Sequence, residues 1–426
     1  MEGRLVEEVQ ERAVLVGVEL DRDDQFDYSM EELASLADAC GVEVAGAVTQ
    51  GLDRVNPSHY IGSGKVREIK AFHDETGSNV VIFNDELSPS QIRNLETELE
   101  TKVIDRTMLI LDIFARRAKT KEAQMQVELA QLQYMLPRLV GLRASLSRQA
   151  GSTGGGVATR GPGETKLELD RRKIEDQIAR LRRELESVKV HRETQRKRRV
   201  KREVPVVSLV GYTNAGKSTI MNGMLAGLGE EAGRQVLEKD MLFATLDTSV
   251  RKIKLEDNRE FLLTDTVGFV GRLPHHLVKA FRSTLEEAAD ADLLLQVVDV
   301  SHPEYRYMMQ VTEDTLSDIG IEGITEVFVY NKSDLAGLEH PKVRDNDIWI
   351  SAKEAGDIHT LTRLIAAKVF GDFVRCRLLV PFDRGDIVSW LNEHADVLET
   401  EYTEDGTLMD VDMREADRNR LSEFVQ

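Results

Sequence analysis

Gly211 and Gly216 bracket four residues, Tyr212, Thr213, Asn214 and Ala215, and are followed at once by Lys217 and Ser218. That spacing lets successive backbone N–H groups curl around phosphate oxygens. The lysine supplies a point charge at the β/γ-phosphates, and the serine hydroxyl reaches Mg²⁺. An apolar, β-branched run, Val206–Val210, enters the turn, and a helical pattern from Thr219 to Leu225 leaves it. The ligand class is therefore a magnesium-bound nucleoside triphosphate.

The base is read further on, where the strand Thr325–Tyr330 ends in Asn331, Lys332, Ser333 and Asp334. A carboxylate there accepts from both the N1–H and the exocyclic amine of guanine, and adenine offers neither in that geometry. A buried acceptor left unpaired costs about 1–3 kcal/mol, so the pattern selects GTP. Asn331 is expected to brace the phosphate loop and the Lys332 stem to lie along the base. Ser351, Ala352 and Lys353 end a last strand whose N–H groups can meet the guanine O6.

Between these lies Asp265-Thr266-Val267-Gly268, again at a strand end. Asp265 suits an outer-shell place at Mg²⁺, and the Gly268 N–H can approach the γ-phosphate because no side chain intervenes. Upstream, Phe243, Ala244, Thr245, Leu246 and Asp247 form a segment counted with the nucleotide contacts. Thr245 is the candidate for a second Mg²⁺ hydroxyl beside Ser218, with Thr248 as its rival. Lys217, Thr245 and Gly268 are thus the groups expected at the reacting phosphate. Phe269 stands where a glutamine would orient the attacking water. An aromatic ring cannot do so, which predicts slow intrinsic hydrolysis that depends on a partner.

In this order the five elements resemble those of translation-factor-like GTPases. The Phe243–Asp247 run, and Arg160-Gly-Pro-Gly-Glu-Thr165 ahead of it, make the resemblance to the HflX family specific. It extends over most of the chain. It implies a cytoplasmic GTPase that binds the large ribosomal subunit and separates stalled ribosomes. The resemblance to such GTPases also implies a K⁺ ion at Asn214 in place of an arginine finger; alternatively, this residue is an asparagine tolerated in a tight loop.

The elements that position these residues follow from composition and periodicity. With 426 residues, about three domains have room for a core. A net charge of −19, from 75 acidic against 56 basic residues, speaks against a general nucleic-acid binder, so RNA contact must be a local patch. Cys40 and Cys376 are too few and too far apart for a disulfide framework or zinc site. No apolar run approaches a membrane span. The expectation is a soluble, intracellular monomer.

Residues 1–115 alternate strands and helices, predicting an α/β domain with a mainly parallel sheet. Its Tyr60–Lys65 run imitates a phosphate loop, but His59 holds the first glycine slot and Val66 the hydroxyl slot, so it reads best as a glycine turn opening a helix. Residues 116–202 predict an antiparallel helical hairpin. Pro137 should kink or interrupt its first helix, and a tip at Gly151–Gly156 leads to a second helix from Glu164. Leu167, Ile174, Ile178, Leu181, Leu185 and Val188 form the seam of that second helix. Eight Lys/Arg between Lys189 and Arg202, against one acid, read as a phosphate-backbone footprint or as a solvated, charged helix end; the resemblance implies that the 150–202 region contacts ribosomal RNA. Residues 203–372 predict a doubly wound G domain, with a helix at Leu277–Ala289, and 373–426 a small acidic α+β domain turning at Asp405-Gly406. Two other readings stay open: a scaffold whose nucleotide only sets conformation, and a nucleic-acid-remodelling ATPase built on the N-terminal domain.

Overall fold

The computed structural model describes residues 11–20, 24–150, 162–200, 204–227, 242–243, 246, 248–255, 259–274, 277, 288–371 and 373–426. The chain packs into two units. The first comprises Met1–Arg196, Lys239–Asp247 and Val267–Thr284; the second comprises Lys197–Glu238, Thr248–Thr266 and Leu285–Gln426. Among the described residues no helix is long and apolar enough to cross a membrane.

In the first unit, β1 (Arg12–Leu20), β2 (Glu43–Leu52), β3 (Val80–Phe83) and β4 (Lys102–Asp105) form a parallel sheet in the order β2-β1-β3-β4. The β1 run Ala13–Val18 is apolar because both faces of this central strand are covered. Helices α1 (Phe26–Ala39), α2 (Ser63–Thr76) and α3 (Pro89–Leu99) alternate with the strands. The turn at Tyr60–Gly62 does open α2, with Gly62 as its N-cap. Ser88 and Gln91 close a capping box around the α3 start, and Pro89 supplies a preset first turn.

Helix α4 (Arg106–Arg117) was not legible in the sequence. Its run Met108–Phe114 is nearly all apolar, so a helix is hard to tell from a buried strand by periodicity. Asp105 decides the matter by ending β4 and accepting from the Met108 N–H at 2.9 Å. Helix α5 (Lys121–Ala150) runs through Pro137 without the expected interruption. Gln133, whose carbonyl loses its donor, is not buried and stays within reach of water. Arg138, one residue on, lies over the Tyr134 ring and donates to the Tyr134 carbonyl and to Asp105.

Helix α6 (Pro162–Val200) follows. Ile178 and Leu181 of its seam are buried, Ile174, Leu185 and Val188 half-buried, and Gln177 donates to Glu128 of α5. Leu167's side chain and the glycine tip lie outside the described residues, as do the side chains of the basic run.

Arg106, fully buried, donates to Asn84, to Glu32 and to the Gly271 carbonyl. Around it Phe243, Leu246, Val267, Val270 and Leu277 join the apolar core of α1, α4 and α5, and the Phe243 and Phe114 rings meet edge to face at 4.7 Å.

The second unit holds a seven-stranded sheet in the order β10-β11-β9-β8-β5-β7-β6. Its strands are β5 (Val206–Gly211), β6 (Ser249–Lys254), β7 (Glu260–Asp265), β8 (Leu293–Asp299), β9 (Thr325–Asn331), β10 (Lys342–Arg344) and β11 (Asp347–Trp349). Only the β6/β7 and β10/β11 pairs are antiparallel. Helices α7 (Lys217–Gly227) and α9 (Ala355–Val369) cover one face, and α8 (Tyr305–Asp318) covers β5 and β8 on the other. Most of the expected helix at Leu277–Ala289 lies outside the described residues. No helix joins β9 to β11; the connection is a turn followed by β10.

The C-terminal portion is a three-stranded antiparallel sheet, β12 (Phe373–Val380), β14 (Gly406–Arg414) and β13 (Asp396–Thr403). It carries α10 (Gly385–His394) and α11 (Glu415–Arg420). Thr403 pairs with Gly406, so the turn is Glu404-Asp405, one residue earlier than its Asp-Gly signal.

Candidate nucleotide site

The phosphate loop lies at the carboxyl end of β5, which β7 flanks on one side and β8 on the other. That is the topological switch point of the sheet, where open α/β folds bind ligands. Gly211 and Gly216 take φ of +144° and +99°. A Cβ on Gly211 would lie 2.3 Å from the Val297 carbonyl oxygen, and one on Gly216 2.1 Å from Asn331 Nδ2. Neither position has room for a side chain. Asn214 adopts φ +60°, a left-handed conformation that asparagine tolerates.

Lys217 begins α7 and is buried, donating to the Gly211 and Tyr212 carbonyls at 2.9 and 2.8 Å. Burial pushes its pKa down to about 8, against the opposing pull of Asp265. Ser218 donates to Asp265 Oδ2 at 2.7 Å, and Asp265 is itself fully buried. A hydroxyl and a carboxylate oxygen therefore meet beneath the loop, the hard-oxygen donor set that Mg²⁺ takes. The Thr266 hydroxyl donates to the Leu209 carbonyl, tying β7's end to β5.

Asn331 joins the two halves of the site. Its Nδ2 donates to the Ala215 carbonyl at 2.8 Å, and its Oδ1 accepts from the Ala352 N–H at 2.9 Å. Lys332, with φ +60°, reaches back to Asp299 at 2.7 Å. Ser333 donates through its N–H to the Ile350 carbonyl and through its hydroxyl to the Tyr330 carbonyl. Asp334 is exposed. The turn at Ser351 is held by Asp357, whose Oδ2 accepts from the Ser351 N–H and faces His340 Nδ1, both at 2.7 Å.

Residues 211–218, 265–266, 331–334 and 351–353 all belong to the second unit. Phe243, Leu246, Val267 and Gly268 pack with the first. Ala244, Thr245 and Asp247 lie outside the described residues. Asp299 and Asp357 escaped the reading of the sequence. The one signal for Asp299 is its place at the carboxyl end of a strand next to β9, and for Asp357 its place in the first turn of α9.

Four family descriptions match the chain in succession: GTP-binding GTPase N-terminal over residues 27–115, GTP-binding GTPase middle region over 117–199, 50S ribosome-binding GTPase over 206–332, and HflX C-terminal domain over 336–423. GTPase HflX of Caldanaerobacter subterraneus is 45% identical over 415 residues, spanning 97% of this chain and 94% of that one. GTPase HflX of Escherichia coli is 38% identical over 418 residues, spanning 96% and 95%. A solved GTP-binding protein of Sulfolobus solfataricus in complex with GDP is 25% identical, covering 85% of this chain and 99% of its own, with a TM-score of 0.44. With relatives at 38–45% identity over nearly the whole chain and four family descriptions matched in succession, the chain belongs to the HflX family of GTPases and is a GTP hydrolase.

Proposed function

We propose that the chain is a GTP-driven switch that docks on the large ribosomal subunit and couples the nucleotide cycle to subunit separation. The observation that carries the reading is Asn331, which links the phosphate loop to the base-reading turn through two buried hydrogen bonds. A triphosphate and a guanine are then gripped as one object. The matched description, 50S ribosome-binding GTPase, points to the partner.

In this reading the N–H groups of residues 211–216 cradle the phosphates, and Lys217 trades its two carbonyl partners for phosphate oxygens. Ser218, with Thr245 in the triphosphate state, would hold Mg²⁺, and Asp265 would orient its waters. Bound there, the ion neutralises charge on the transferring phosphoryl group. Gly268 meets the γ-phosphate, and Asp334 reads guanine while Lys332 lines it. Phe269 is buried and offers no hydrogen bond to water, so hydrolysis waits on the ribosome. The region 150–202 supplies the RNA contact, and the chain acts as a monomer. Asn214 holds K⁺ near the phosphates; equal GTPase rates in K⁺ and Na⁺ buffers would end that part alone.

Co-sedimentation with separated ribosomal subunits tests the whole. The chain should pellet with the large subunit in a non-hydrolysable GTP analogue and be released in GDP. Retention that ignores the nucleotide, or that favours the small subunit, refutes it.

A further inference from the structure

A parallel crossover ordinarily carries a helix that covers the sheet. Here the β9-to-β11 connection has none, and α8 lies mainly over β5 and β8, with Tyr305, Arg306 and Glu313 on the side nearest Tyr330. The sheet face on the α8 side is thereby left open at its edge. Val327 and Val329 on the opposite face are buried, whereas Phe328 and Tyr330 on this face are only half-buried.

Register places what lies there. Tyr330 stands opposite Trp349, and Trp349 opposite Lys342. One row away, Phe328 faces Asp347, and Asp347 faces Arg344. The Tyr330 and Trp349 rings stack at 4.9 Å and 14°. Arg306, at the start of α8, is exposed, as are Lys342 and Arg344. Two stacked rings standing on a sheet between cations are suited to flat, anionic polymers. Sheets that hold unpaired bases do so with aromatics on neighbouring strands, while basic side chains track the phosphates. Asp347, Glu326 and Glu313 of α8 stand on the Tyr330 side, and Glu339 pairs with Lys342 at 3.1 Å, so the footprint is confined to the Trp349 end, where RNA phosphate would compete with Glu339 for Lys342.

We propose that this face binds single-stranded RNA, with Tyr330 and Trp349 stacking on bases and Arg306, Lys342 and Arg344 meeting the backbone. Tyr330 and Trp349 lie on the strands that lead into the turns at Asn331 and Ser351, and the proposal does not depend on which ribosomal subunit the chain prefers.

Trp349 and Trp390 are the chain's two tryptophans. In a full-length Trp390→Phe protein, emission reports on residue 349 alone, whatever RNA the basic run at 189–202 also holds. Titration with a short RNA of mixed sequence should quench that emission, and the same RNA in duplex form should not. In the Lys342→Glu/Arg344→Glu variant, whose changes are exposed and spare the core, quenching should need about tenfold more RNA. Inorganic polyphosphate should leave the emission unchanged. RNA that binds by anisotropy without quenching overturns the proposal, as does quenching matched by polyphosphate or indifferent to the two substitutions. Quenching by RNA-free ribosomal proteins in place of RNA overturns it in favour of a protein-docking face.

Discussion

Lys217 is held in a place that disfavours its own charge. With its pKa lowered to about 8 by burial, Lys217 loses its proton above that pH, whereas phosphate binding needs the ammonium. GTP affinity should therefore fall as pH rises through 8, by up to about tenfold per unit, with proton uptake on binding. Calorimetry in two buffers of different ionisation enthalpy measures both, and a flat profile to about pH 9.5 would contradict it. Folding stability shows the opposite sign. Between about 8 and the ordinary 10.5 the unfolded chain holds more protons, so stability rises with pH there. Asp334→Asn should weaken GTP about 10–100-fold, the loss of a charged hydrogen-bond acceptor, and favour xanthosine triphosphate. Unchanged base preference in competition binding would show that another group reads guanine. The glycines, lysine and Asn-Lys-Ser-Asp run were legible because their spacing in the chain is their chemistry. Asp299 and Asp357 were not, because their partners are set by neighbouring strands and a helix start, which sequence separation hides.

Elements show the same division. Strands with both faces covered, and α3 with its Ser88 box, declare themselves locally. Helix α4 did not, since an apolar run fits either secondary structure until Asp105 caps it. Pro137 does not end α5, because the cost of a missing N–H depends on whether its carbonyl partner is buried. The glycine turn opening α2 was legible, while the missing crossover helix between β9 and β11 left no mark beyond short, polar spacing. At this scale the testable link is Asn331, which couples two loops. Asn331→Ala strands the Ala215 carbonyl and the Ala352 N–H, each costing about 1–3 kcal/mol. The thermal midpoint should drop, and guanine and phosphate affinities should fall together. Loss of one without the other, read by comparing GDP with guanosine binding, would mean the two loops are independent.

At the scale of the whole chain, sequence order and packing order diverge. Family descriptions run head to tail in four blocks, the last from residue 336. Packing instead draws 239–247 and 267–284 into the first unit. No periodicity announces that, because a short apolar stretch says only that it will be buried and not by what. Arg106 fixes one of these stretches through the Gly271 carbonyl, and Phe114 fixes the other through Phe243.

Scissors placed at residue 203 would therefore not free an autonomous module. The trailing fragment would carry Phe243, Leu246, Val267, Val270 and Leu277 stripped of the α1, α4 and α5 side chains that cover them. Such a fragment should bind an environment-sensitive dye far more strongly than the parent and self-associate on concentration. Adding residues 1–202 in trans should reverse both, and a fragment that stays monodisperse and dye-silent would show those stretches can find shelter elsewhere.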